Sequence, residues 1–434
     1  MWDFETEPQF QAELDWVRKF VTEEVEPVDA ILGHPAEVDN PLRRALLPPL
    51  QAVVKERGLW ACHLSPELGG QGFGQLKLAL LNEILGSSRC APTVFGCQAP
   101  DSGNTEILAM FGTEEQKQRY LQPLIAGEIS SCFSLTEPRG GADPTSITAT
   151  GELVDGRWHL NGEKWFASNA RFAEFIIAVV VTDPDAAAHR RSSMFLIPRG
   201  TPGLEIVRNV ATAGQPDGDG SHAHLRFADL TLPPEAMLGE RGAAFQIAQA
   251  RLGGGRIHHA MRTVGAARRA FEMMCERAQS RQTKGVRLSE LQFTQQAIAD
   301  SWLELEQFRL LVLRTAWKID HVGDYAAVRG DISAVKAAMP RVLHDIASRA
   351  LQIHGSLGAS DELPLTRYVL ESYQMGLADG PTEVHKIALA RQILKKVPGS
   401  EAAFPDYLTS SVRAAARERF AEQLAGAPEV QPWG

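Results

Sequence analysis

The stretch Gly376-Leu-Ala-Asp379-Gly380-Pro381-Thr382-Glu383-Val384-His385-Lys386 sets one carboxylate on a Gly-Pro turn that runs straight into an amphipathic helix. Gly380 and Pro381 punctuate the turn, proline is favoured in a first helical turn, and Val384, Ile387, Leu389 and Ile393 supply an apolar face. Asp379 therefore stands just ahead of a helix N-terminus, either as a general base in a fixed place or as an N-cap, a position Asp often fills. A second run, Leu252-Gly253-Gly254-Gly255-Arg256-Ile-His258-His259, strips three side chains from a helix, at about 1 kcal/mol each relative to Ala. It either opens space beside a ligand or lets helices pack closely. Its two histidines either polarise a ligand hydroxyl or belong to the core or surface.

The elements that must position these residues are drawn from 434 residues with 44% hydrophobic content, enough for two or three domains around a large core. A net charge of -9 argues against a nucleic-acid surface. Five cysteines, odd in number and without CxxC or Cys/His spacing, indicate neither a disulfide framework nor a metal site. The acidic N-terminus lacks a basic and apolar leader, and no run of about 18 apolar residues occurs, so a cytoplasmic protein without membrane attachment is expected.

Residues 1–130 carry helical periodicity, as in Phe10, Leu14, Val17 and Val21, and Thr113 is placed to cap a short helix. From 131 to 240 the pattern turns to strands, with an Asp155-Gly156 hairpin, an unbroken apolar run from Phe175 to Val181, and loops at 200–203 and 214–220. Helical periods return at 243–281, 288–322, 325–355 and 384–396, which predicts a four-helix bundle over 241–397 followed by a tail, 398–434. The expected fold class is α+β: a helical domain, a middle β-barrel or sandwich, and a C-terminal bundle.

Four strings carry ligand chemistry. In Leu135-Thr136-Glu137-Pro138-Arg139-Gly140-Gly141-Ala142-Asp143, a hydroxyl and successive backbone N–H groups near glycines can donate to the pyrimidine edge of a flavin or to a phosphate, though an ordinary turn remains open. The others are Asn161-Gly162-Glu163-Lys164-Trp165-Phe166-Ala167-Ser168-Asn169, Gln352-Ile-His-Gly355-Ser356-Leu-Gly358, and Arg281-Gln-Thr283-Lys-Gly285, where Arg beside a glycine turn suits a pyrophosphate. Together with the helix–sheet–helix order, these strings resemble the acyl-CoA dehydrogenase family over about residues 5–396.

The resemblance implies FAD as cofactor, held by Phe133, Leu135, Thr136, Gly141, Ala142, Phe166, Ser168, Gln352, Gly355, Ser356 and Glu383, with Arg281 and Thr283 reaching the FAD of a neighbouring subunit. A homo-oligomer, dimer or tetramer, follows. Phe166 corresponds to the aromatic packed on the flavin and Ser168 to the hydroxyl near its reactive edge, leaving Trp165 to the core. Asp379 stands where the family carries its catalytic Glu, so it is expected to remove the α-proton of an acyl-CoA thioester while the β-hydrogen leaves as hydride, giving a 2-enoyl-CoA. Gly255, Arg256, Gly380 and Arg391 are expected beside the substrate. Some members carry their base at the position of Gly255, so Asp379 has no rival there. Burial is expected to raise the pKa of the base toward neutrality. An electron-transferring flavoprotein is the expected acceptor.

The pattern departs from the family at Ala142, where a hydroxyl is usual, at Pro381, where Thr is usual, and at Glu383, where Gln is usual. The Asp-Gly-Pro-x-Glu-Val-His form occurs in a branch associated with branched or hydroxylated acyl chains. Alternatives are a nitroalkane oxidase-like flavoenzyme, an acyl-CoA oxidase, and a catalytically silent acyl-CoA-binding protein.

Overall fold

The computed structural model describes residues 4–212 and 220–426; apart from Gly220, the loop expected at 214–220 lies outside them. The chain divides into two compact units, 1–386 and 387–434.

In the first unit the helices before the sheet are α1 (Pro8–Phe20), α2 (Glu26–Asp29), α3 (Pro41–Glu56), α4 (Gly74–Leu85), α5 (Ala91–Val94), α6 (Asp101–Phe111), α7 (Glu114–Gln116) and α8 (Gln122–Ala126). Phe10, Leu14 and Val17 are buried on α1, as their spacing predicts. Thr113 caps α7 through a capping box, its hydroxyl accepting from the Gln116 N–H while the Gln116 side chain accepts from the Thr113 N–H.

The sheet contains β1 (Ser131–Ser134), β2 (Thr150–Val154), β3 (Arg157–Ser168), β4 (Phe175–Val181), β5 (Ser192–Pro198), β6 (Leu204–Val210), β7 (His222–Leu232) and β8 (Met237–Leu238). Its order is β6-β7-β3-β1-β4-β5-β8, with β2 pairing β3 and β4. Because β2 and β1 each pair with both β3 and β4, strands β3, β1, β4 and β2 form a closed circuit, from which the rest of the sheet extends. The run on β4 is apolar because both its faces are covered. Phe175, Ile177, Val179 and Val181 pack toward the helices, whereas Ile176, Ala178 and Val180 pack against Trp158, Leu160 and Phe227 of the same sheet; fully burying each large side chain contributes about 1.5–3 kcal/mol.

After the sheet come α9 (Ala244–Ser280), a small hairpin of β9 (Gln282–Thr283) and β10 (Val286–Arg287), α10 (Gln292–Val322), α11 (Arg329–His354) and α12 (Leu365–Leu377). These four helices pack as the bundle. The expected fourth member, 384–396, is instead α13 (Thr382–Leu394), beyond the Asp379 turn, because Tyr368 and Ser372 of α12 bury the seam that completes the bundle. The two helical regions share one core rather than two, joining Leu81, Leu85 and Phe95 to Ile257, Met261 and Val264. Where α4 meets α9 the backbones nearly touch: a Cβ on Gly265 would stand 2.0 Å from the Glu83 carbonyl oxygen, so no side chain fits. The second unit contains α14 (Thr409–Arg419) and α15 (Ala421–Leu424), both without buried residues. No helix among the described residues is long and apolar enough to cross a membrane.

Candidate functional site

Two of the ligand strings meet at the end of β1 and the bulge of β3. Phe133 pairs with Ser168, and the Trp165 N–H donates to the Thr136 carbonyl at 2.8 Å. Beneath them lies an ion pair that sequence reasoning passed over. Lys164 Nζ donates to Glu137 at 2.8 Å and to the Leu135 carbonyl at 3.2 Å, while Glu137 also accepts from the Thr148 and Ala149 N–H groups. Both side chains are almost fully buried. Burial pulls Lys164 down to about 8 against the opposing pull of Glu137. The charges are thus spent on tying the two segments together.

What this anchoring presents is strained. Phe166 has φ +54 and a ring 42% exposed, on a bulge where the β3–β7 register shifts. A bulky residue in the left-handed region costs of order 1–3 kcal/mol and marks positions held for use. Its ring stacks on His222 at 4.9 Å, and His222 Nδ1 lies 3.0 Å from Ser168 Oγ. Ala142 is also left-handed, at φ +61. Thr136, Gly141 and Ala142 are exposed and Leu135 half-buried. An exposed, strained aromatic beside a hydroxyl and a turn of open backbone fits the planar ring of a flavin. Trp165, expected in the core, is instead half-buried under the Arg208 guanidinium, because the bulge turns it off the sheet interior.

Asp379, between α12 and α13, is left-handed as well, at φ +55. Its carboxylate makes no hydrogen bond to the first amides of α13 among the described residues, which removes the capping role. Instead Oδ2 stands 3.6 Å from His259 Nε2, with the two side chains 17% and 21% exposed. The carbonyl of Asp379 accepts from Arg256 Nε at 3.0 Å and from His385 Nε2 at 3.3 Å. With Nε2 donating, His385 Nδ1 is left to accept from Ser333 Oγ at 3.4 Å. Gly380 has φ +106, and a Cβ there would stand 3.0 Å from His385 Nε2, so the turn requires glycine.

The electrostatics correct one expectation. Burial pushes the Asp379 carboxyl up, but His259, Arg251, Arg256 and Lys336 together outweigh it and hold the group below its ordinary value rather than near neutrality. Lys336 is buried and donates to the Met375 carbonyl, and burial pulls it down to about 8. Arg251 donates through Nε to Asn104 at 2.8 Å and lies 4.1 Å above the Phe133 ring, joining the surroundings of Asp379 to β1. Charged residues at buried positions of α9 and α11 were the available signal for both.

The glycine run divides its labour. A Cβ on Gly253 would stand 3.0 Å from Tyr325, one on Gly254 would stand 3.2 Å from Glu106 Oε2, and one on Gly255 would stand 3.2 Å from Asp379 Oδ2. Gly255 thus leaves room for the carboxylate. Of the two histidines, His258 points into the core against Gln75 and His63, and His259 faces Asp379. Burial pushes Glu106, on α6, up to about 7 against the opposing pull of Arg251.

Other expected site residues are exposed on their own elements. Arg281 and Thr283 are exposed at the β9–β10 hairpin, and Gln352, Gly355 and Ser356 are exposed at the end of α11. Glu383 is exposed on α13; Arg391, in the second unit, is exposed too. No group of His, Cys, Asp or Glu that could hold a metal occurs among the described residues.

Comparison with known proteins agrees with this geometry. The acyl-CoA dehydrogenase N-terminal, middle and C-terminal domain families match residues 7–128, 132–230 and 242–394. The chain is 41% identical over 386 residues to the probable acyl-CoA dehydrogenase FadE2 of Mycobacterium tuberculosis, covering 86% of this chain and 94% of that protein. It is 36% identical over 377 residues to human acyl-CoA dehydrogenase family member 11, covering 86% of this chain but 48% of that longer protein. Among solved structures, butyryl-CoA dehydrogenase of Megasphaera elsdenii superposes with a TM-score of 0.76 at 26% identity, covering 91% of this chain and all of the other. FAD is the cofactor that the acyl-CoA dehydrogenase fold of this chain carries. Three domain families in order, around a sheet and a bundle that bring these segments together, show that the chain belongs to the acyl-CoA dehydrogenase family.

Proposed function

We propose that Asp379 is the base that removes the α-proton of an acyl-CoA thioester, yielding a 2-enoyl-CoA, and that the favoured acyl chain is branched or hydroxylated. The observation that carries this is the carboxylate itself: strained, uncommitted to the helix behind it, and facing the side-chain-free position 255. FAD, when bound, supplies the hydride acceptor. The chain's own contribution is to keep Asp379 ionised, through the surrounding cations, and to aim it through Arg256 and His385. A carboxylate held low in pKa is a weak base toward a thioester α-proton, so hydrogen bonds to the thioester oxygen must stabilise the developing enolate. The Asp379 N–H is the donor the family resemblance assigns, and the Gly-Pro turn fixes it.

Thr136, Phe166 and Ser168 hold the flavin ring in this proposal. Arg281, Thr283 and the Gln352–Ser356 turn, exposed in one copy, serve the FAD of a neighbouring copy in a homo-oligomer. An electron-transferring flavoprotein is the proposed acceptor and the cytoplasm the proposed compartment, in keeping with five free cysteines. Anaerobic mixing with straight, branched and hydroxylated acyl-CoAs should bleach the oxidised flavin band, and Asp379→Asn should slow this by at least about 10²- to 10⁴-fold. Bleaching undiminished in the variant removes Asp379 from the role. No bleaching by any thioester overturns the proposal in favour of nitroalkane oxidation or silent binding.

A further inference from the structure

Next to the position that makes room for the base, α9 makes room for something else. The point where Gly254 would carry a Cβ lies 3.2 Å from Glu106 Oε2 and 3.4 Å from the Tyr325 hydroxyl oxygen. Glu106 reaches this point from α6, and Tyr325 from the turn between α10 and α11, with its ring against Gly253. Neither polar group makes a hydrogen bond among the described residues, and both residues are half-buried. Two converging polar groups without hydrogen-bond partners, set over a missing side chain, are free to meet a ligand group.

The distance to the chemistry is short. Cβ points on adjacent residues are no more than about 7 Å apart, so this receptor neighbours Gly255 and the Asp379 carboxylate. The local charges restrict what it takes. Arg251, buried and within the field of both Asp379 and Glu106, opposes a cationic group, and the two carboxyls oppose an anionic one. A ketone could accept from Tyr325 but could not donate to Glu106. A hydroxyl does both.

We propose that Glu106 and Tyr325 form a subsite for a hydroxyl group on the acyl chain beyond the reacting carbons, Glu106 accepting its hydrogen and Tyr325 donating to its oxygen. This rests on the acyl-CoA dehydrogenase reaction proposed above and assigns its polar specificity to named residues.

The test uses the FAD-loaded enzyme with hexanoyl- and octanoyl-CoA and their monohydroxy counterparts, the hydroxyl at each carbon from γ outward. Anaerobic flavin reduction gives a rate-over-Kd value for each thioester. At one position the wild type should favour the hydroxylated chain over the plain one by about 10-fold or more, and Glu106→Leu should lower that ratio by about 10- to 100-fold. Tyr325→Phe should lower it less, and Glu106→Gln, which keeps an acceptor, should retain part of it. Thermal melting of Glu106→Gln separates misfolding from lost recognition. No hydroxyl preference at any position in the wild type, or equal losses on plain and hydroxylated chains in Glu106→Leu and Glu106→Gln, overturns the subsite while leaving the dehydrogenase reaction standing. Failure of every thioester to reduce the flavin overturns the reaction itself.

Discussion

Replacing Gly255 with alanine sets two effects of opposite sign against each other. Position 255 lies inside α9, where exchanging Gly for Ala should stabilise the helix by about 1 kcal/mol. In a chain of this size that corresponds to a rise of about 2 °C in Tm. The added methyl, however, would stand 3.2 Å from Asp379 Oδ2, closer than ordinary van der Waals contact. Asp379 cannot simply retreat, because its carbonyl is tied to Arg256 and His385 and its backbone is already left-handed. The carboxylate must then tilt by a few tenths of an ångström. A misplacement of about 1 Å costs about 10²-fold, so flavin reduction by a straight-chain acyl-CoA should slow by about 3- to 10-fold. Gly255→Leu should lose more, and branched or hydroxylated substrates should lose more than straight ones in both variants. Stopped-flow reduction and differential scanning calorimetry on the same FAD-loaded preparations give the two numbers together. A variant that is more stable and as fast as wild type would refute the placement of the base against Gly255; equal losses for straight and bulky substrates would refute the role of this glycine in substrate room.

Two further outcomes follow from buried charge. Lys164→Met leaves Glu137 buried without its cation, which should cost about 3–5 kcal/mol and weaken FAD retention, since the pair ties Thr136 to the Phe166 bulge; urea unfolding and the FAD-to-protein absorbance ratio after gel filtration would check both, and an unchanged ratio would count against the anchoring role. His63 and His385 are held neutral, burial pulling each from 6.5 to about 4. The unfolded chain binds more protons between those values, so stability is fully present above 6.5 and falls as pH drops toward 4, by at most about 3 kcal/mol per histidine; melting curves across this window that stayed flat would exclude that linkage.

Much of this protein could be read locally. The period of α1, the capping box at Thr113, the Asp155-Gly156 turn and the two-sided burial of β4 are decided within a few residues of chain, where spacing and turn chemistry act directly. Asp379 was legible as a carboxylate before a helix, but not whether that carboxylate turns back to cap the helix. That distinction depends on which way the side chain points, and α9, more than a hundred residues earlier, decides it by presenting Gly255 and His259. The helix α12 was hidden because its polar surface reads as turn and motif, while the seam it buries belongs to the bundle. The pKa of Asp379 was misjudged for the same reason: burial is visible in sequence as hydrophobicity, whereas Arg251 and Lys336 become neighbours of the carboxylate only when α9 and α11 pack around it. Sequence alone determined the element types and the place of the Asp379 carboxylate ahead of a helix; tertiary structure decided which charges, glycines and polar groups surround it, because those contacts join segments whose separation in the chain carries no local signal.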